Sequence, residues 1–214
     1  MTWTSAIEHI VILLASFAIG VVAYIGMGTE TFKVKRKRLD WLLSITIQLV
    51  IYIWIAKVLV LFNLVIKDPV AVLAYPSNAT ILYVALIFTS IHIAVHIKKN
   101  VLPVNAMVEV FVPVLLSTQF IYVCIQLLQT GRTGFFINAA IVMVLLLMYI
   151  TVDPLRTFRG SVTIFITWAV AKVILSIGFA HKTLFGYLVS PLLYVVLGIG
   201  AMLLLWKFKS ERKF

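Results

Sequence analysis

Long apolar runs broken by short polar stretches dominate the chain, and a helix needs about 20 apolar residues to cross the hydrocarbon core of a bilayer. By that length the pattern predicts seven spans, at 6–27, 41–66, 79–97, 104–128, 134–152, 161–180 and 185–206. The expected fold class is therefore all-α: a polytopic membrane protein whose residues 1–214 form a single transmembrane domain. The first run has no basic stretch before it and continues into a strongly basic connection, so it reads as a retained span rather than a cleaved leader. No low-complexity tract, Gly-rich phosphate loop or long linker separates the runs.

Composition agrees with the pattern. Hydrophobic residues make up 63% and charged residues 12%, where a soluble domain carries about a quarter charged. The net charge of +11 would point to nucleic acid on a soluble chain, but here the cations cluster at span ends and act as topology signals. Thirteen lie on one side: Lys33, Lys35, Arg36, Lys37, Arg38, Lys98, Lys99, Arg156, Arg159, Lys207, Lys209, Arg212 and Lys213. Only Lys67, Arg132 and Lys182 lie in the opposite connections. The positive-inside rule then puts the N-terminus outside and the C-terminus in the cytoplasm, and the expected location is the plasma membrane, with the lipid bilayer as the first partner.

Two lysines interrupt the apolar runs. Trp54-Ile55-Ala56-Lys57-Val58-Leu59 lies in the second span, and Trp168-Ala169-Val170-Ala171-Lys172-Val173-Ile174-Leu175 in the sixth. An ionisable group inside a span is costly and marks a functional site by default. Interior-facing ammonium groups would attract a small anionic solute; the competing reading is that both side chains snorkel to headgroups. Trp54 and Trp168 precede the lysines by three and four residues, on roughly the same helix face, where they can offer a cation–π surface.

The match between the second and sixth spans predicts a 3+1+3 parallel repeat, with halves 6–97 and 134–206 and the helix 104–128 as linker. Each lysine would then stand about 12–13 Å from the outer end of its helix at 1.5 Å per residue. Two triplets joined by a linker helix resemble the plan of the small seven-span sugar carriers and of their relatives that read retention peptides. The resemblance is architectural: the Pro-Gln pair of the carriers is absent, and no residue role carries over.

The third span holds His92 and His96 one turn apart, and the fourth holds Glu109. If those spans pack as antiparallel neighbours, His92 and Glu109 lie at the same depth and form a proton-linked gate or a structural polar pair. A metal site would need further ligands beyond His92, His96 and Glu109, and haem would need axial histidines on facing helices, so no cofactor is expected. Cys124, the single cysteine, has no acid or histidine near it in sequence and excludes an internal disulfide.

Small residues at Ser16, Gly20 and Ala23 in the first span, and at Gly198, Gly200 and Ala201 in the seventh, predict close helix packing. Pro113 should kink the fourth span, whereas Pro191 falls in the first turns of the seventh, where it is tolerated. Asp68-Pro69 and Tyr75-Pro76-Ser77-Asn78 read as turns, and Asn78-Ala79-Thr80 matches a glycosylation triplet. The functional expectation is a small carrier for a polar or anionic solute. The alternative is a non-enzymatic subunit docking on a larger membrane complex as its protein partner. Paired carboxylates and a clustered Ser/His/Asp set are missing, which argues against a membrane enzyme.

Overall fold

The computed structural model describes residues 3–27, 30–68, 78–99, 103–178 and 183–210, with side chains described between 8 and 206. The turn signal at Tyr75-Pro76-Ser77, Lys182, and the tail side chains of Lys207, Lys209, Arg212 and Lys213 lie outside the described residues. What is described is nearly all helical: α1 (Trp3–Gly26), α2 (Phe32–Val60), α3 (Phe62–Lys67), α4 (Ala79–Lys98), α5 (Val104–Thr130), α6 (Thr133–Thr151), a 3-10 turn (Asp153–Arg156), α7 (Phe158–Gly178) and α8 (Pro191–Ser210). A small hairpin, β1 (Thr183–Leu184) and β2 (Tyr187–Leu188), precedes α8.

Six helices, α1, α2, α4, α5, α6 and α7, are long and apolar enough to cross a membrane. They mark a membrane-embedded, multi-pass protein. The apolar part of α8, Pro191–Trp206, is shorter. The expected seventh span begins late because Phe185 and Gly186 both take positive φ, 49° and 86°, and turn the chain before Pro191 can start the helix.

The burial pattern is inverted relative to a soluble protein. Large apolar side chains such as Val22, Ile66, Leu128 and Ile177 point outward, whereas Ser16, Thr118, Gln119, Asn138 and Lys172 are buried. Lipid tails solvate apolar groups as well as a protein core does, so association of the helices rests on close packing and on hydrogen bonds between them.

α5 occupies the centre, packed against α1, α2, α6 and α7, while α4 lies on α2 and α8 on α7. Gly20 is what lets α1 approach α5. A Cβ there would overlap the Thr118 hydroxyl and stand 2.9 Å from the Thr118 nitrogen and 3.1 Å from the Val114 carbonyl oxygen. At the other edge Gly198 meets Ala169, and Ala201 is buried with Phe158 and Val162, so small residues also admit α8 to α7. Gly200 faces open space.

Helix ends follow local chemistry. Asn78 caps α4, its side chain accepting from the Ile81 N–H at 3.0 Å, so the glycosylation triplet begins on a capping residue. Gly131, at φ 61°, closes α5 in the left-handed conformation. α2 begins at Phe32 rather than at residue 41, so the basic stretch from Lys33 to Arg38 is helical instead of a loop. Lysine and arginine are good helix formers, and here Lys35, Leu39 and Leu42 continue the buried stripe of α2 toward its start.

Candidate functional site

Lys172 is the most deeply buried charge among the described residues, 2% exposed within the bundle. It lies on α7, and its ammonium donates to Asn138 Oδ1 of α6 at 3.1 Å. No carboxylate lies within 4.0 Å of it among the described residues. One turn earlier Trp168 donates its indole N–H to Gln119 Oε1 of α5 at 2.5 Å, stacks on Phe165 and meets Tyr194 of α8 edge-on. One turn later the buried hydroxyl of Ser176 has no hydrogen-bond partner, nor has that of Tyr194. Four helices thus meet at a polar seam whose one full charge among the described residues is positive and is offered a neutral amide. A buried cation of this kind attracts an anion strongly, because little solvent screens it.

Lys57 is also buried, yet in different surroundings. It sits in the last turn of α2, next to Ala56 in the α2–α4 contact, with its ammonium 5.4 Å from the centroid of the Trp54 ring. Trp54 is 47% exposed and faces the perimeter, whereas Trp168 is 2% exposed and belongs to the core. The cation–π contact expected at both lysines is present at Lys57; Trp168 uses its N–H on Gln119 instead. Equal distance to the helix end is also corrected. α2 breaks after Val60, three residues or about 4.5 Å beyond Lys57, whereas α7 runs six residues or about 9 Å beyond Lys172 to Gly178.

His92 and Glu109 do not meet. α4 packs chiefly on α2, not on α5, so His92 faces Tyr52, whose hydroxyl is 3.1 Å from His92 Nδ1. His96 stacks on His92 with centroids 4.2 Å apart, and its Nδ1 lies 3.0 Å from the His92 carbonyl oxygen. No group of three or more His, Cys, Asp or Glu side chains that could hold a metal occurs among the described residues.

Glu109 pairs with Arg38 instead. Arg38 places one nitrogen 3.0 Å from Glu109 and another 3.0 Å from Glu30, bridging α5 to the connection between α1 and α2. The Phe158 N–H, at the start of α7, is also directed at the Glu109 carboxylate, a favourable place for an anion. Around this bridge lies a recess of about 490 Å3 lined by Tyr24, Lys35, Arg38, Glu30, Glu109, Tyr149, Asp153 and Arg156, among others.

Two cations there close helix ends. Lys35 donates to the Ile25 carbonyl of α1 at 2.7 Å. Arg156 donates to the Tyr149 and Ile150 carbonyls of α6 and approaches Asp153 at 3.4 Å. The buried Tyr24 hydroxyl, on the same wall, faces the Arg38 guanidinium. In the sequence Lys35, Arg38 and Arg156 read as topology charges at span ends. The signal for a second role was the α2 periodicity that places Lys35 and Arg38 on the face of Leu39 and Leu42. Neither Lys57 nor Lys172 lines this recess.

Compared with family models, with curated proteins and with solved structures, the chain has no match.

Proposed function

We propose that this protein is a small carrier that moves an anionic solute across the plasma membrane, with Lys172 as the charge that holds it. The observation that carries the reading is the 2% exposed ammonium of Lys172, held by the neutral Asn138 with no acid in ion-pair reach among the described residues. A lysine kept in such a place without a counter-charge destabilises the empty protein, and an anion that enters relieves that penalty. Lys57, set beside a perimeter tryptophan, is an anchor for the α2 end in this scheme.

In the same reading α8 completes seven spans, the N-terminus is outside, and the recess around Arg38 faces the cytoplasm. The arrangement of α1, α2 and α4 on one flank of α5, and α6, α7 and α8 on the other, supports two halves of a 3+1+3 plan that rock about the central helix. Opening the cytoplasmic side requires Arg38 to release Glu109 or Glu30. A proton on either carboxylate weakens that hold, which gives proton movement a way to couple to the cycle. His92, hydrogen-bonded to Tyr52 on the α2–α4 flank, and His96, stacked on it, stand outside that latch.

The test is electrical. Proteoliposomes adsorbed on a supported membrane are given concentration jumps of small carboxylates, phosphate and sulfate. The wild-type protein gives an anion-dependent current with at least one of them, and Lys172→Gln reduces it at least tenfold at an unchanged melting temperature. A wild-type protein silent to every anion, or a current that survives Lys172→Gln, refutes the carrier and leaves a docking subunit as the better account.

A further inference from the structure

The end of the bundle opposite the Arg38 recess carries a second one, of about 350 Å3, at the small end of the range for small-molecule sites. Its lining is polar but largely uncharged: Gln126 and Gln129 of α5, Thr183 of the hairpin and Tyr122 supply amides and hydroxyls, with Arg132 as the cation. Gln129 donates to Glu8 at 2.8 Å and Gln126 to Gln129 at 3.4 Å, so the one carboxylate on this wall is already engaged. His9 also lines the recess, and its buried Nδ1 has no hydrogen-bond partner among the described residues. Buried polar atoms are almost always satisfied, and one left open beside a polar recess is a vacant ligand contact.

The floor of the recess is aromatic, formed by Tyr122 and Phe135. Behind it the Phe185 ring meets Tyr122 edge to face at 5.6 Å. Phe185 is the only non-glycine residue at positive φ among the described residues, and a β-hairpin turn places its ring against Tyr122. An aromatic residue in that conformation is strained and needs surrounding contacts to fix it. Below the floor, Asn138 follows Phe135 by three residues, about 4.5 Å farther along α6, and Asn138 is the residue that holds the Lys172 ammonium.

We infer that this recess is the entrance and first binding site for the solute, and that the solute is a small hydroxylated anion such as a hydroxycarboxylate. The inference rests on the carrier reading and deepens it. Amides and hydroxyls both donate and accept, which suits hydroxyl groups; Arg132 at the mouth and Lys172 below the floor take the carboxylate in turn. In this scheme the solute waits among Gln126, Gln129 and Thr183, and the Tyr122–Phe185 contact must open before it reaches Lys172.

Thiol labelling tests this. In a Cys124→Ser background, Gln126→Cys or the more exposed Gln129→Cys is treated in right-side-out vesicles with one of two impermeant methanethiosulfonates, anionic sulfonatoethyl or cationic trimethylammonioethyl. The anionic reagent is expected to react at least tenfold faster at both positions, and millimolar gluconate to slow it severalfold. Arg132→Gln is expected to erase most of the difference. No labelling from that side, a preference for the cationic reagent, or indifference to gluconate overturns the inference. The two readings fail separately. Currents that need Lys172 without labelling at either cysteine keep the carrier and discard this entrance; labelling as expected with currents indifferent to Lys172→Gln keeps an anion site and discards the carrier.

Discussion

The hydroxyl of Tyr149 lies 3.3 Å from the backbone carbonyl of Glu109, the one carbonyl in α5 that Pro113 deprives of its helical donor. A proline inside a helix leaves the oxygen four residues earlier unpaired, and in a bilayer no water replaces the lost bond. Tyr149, 5% exposed on α6, fills the gap and fastens α6 to the central helix beside the Arg38 recess.

Removing that hydroxyl should therefore be felt through the proline. Tyr149→Phe is expected to destabilise the protein by about 1–3 kcal/mol, the usual penalty for a buried acceptor left unsatisfied. Pro113→Ala restores an N–H to the Glu109 carbonyl, so Tyr149→Phe should cost about 1 kcal/mol less in that background. Melting temperatures of the four proteins in one detergent measure the coupling. Strict additivity means the Tyr149 hydroxyl is held for some other reason.

Arg38 uses two different nitrogens on two carboxylates, and that geometry predicts which substitutions it tolerates. Lysine keeps the charge but offers a single point, so Arg38→Lys can serve Glu109 or Glu30 and not both. Arg38→Ala, which strands a Glu109 side chain only 20% exposed, is expected to cost about 1–3 kcal/mol. Arg38→Lys should recover less than half of that loss, and the double variant Arg38→Ala with Glu109→Gln more than half. Chemical unfolding followed by intrinsic tryptophan fluorescence gives the ranking, and full rescue by lysine would contradict a two-carboxylate bridge.

How far the chain could be read before its structure depended on whether a residue's neighbour was near in sequence. The apolar runs gave the main spans, and the starts of α4 at Ala79 and α5 at Val104 fall where the pattern begins. Lys172 was visible because a charge in an apolar run has no bland solvent-exposed explanation. Arg38 was not, since it stood among five cations that all read as topology signals; only helix continuation through Lys35 and Leu39 sets it apart. The partner of Glu109 was out of reach for another reason: consecutive spans need not touch, and α4 turned to α2. The late start of α8 came from a turn at Phe185-Gly186 that hydrophobicity alone cannot register.

Close approach at Gly20 makes a size-graded prediction. Gly20→Ala puts a methyl against the backbone of Thr118 and Val114, where nothing flexible can move aside, and should cost about 1–3 kcal/mol as overpacking. Gly200→Ala meets nothing and should change stability by less than about 0.5 kcal/mol. Thermal melts of the two variants compare the same chemical change at two faces. Equal effects would mean that α1 and α5 are not in the contact described.

The two intramembrane lysines should separate in both function and stability. Lys57→Met removes a cation from the Trp54 ring beside the α2–α4 contact, a loss of about 0.5–1 kcal/mol, and should leave anion currents within about twofold of wild type. Lys172→Met replaces a buried charge by an apolar side chain of similar length. Such replacements are neutral or stabilising where the charge is not structurally paired, so the melting temperature should hold or rise while the current is lost. Measured on the same two preparations, a Lys172→Met protein that melts well below wild type would make the Asn138 contact a structural tie, and a Lys57→Met protein that loses its current would return Lys57 to the solute path.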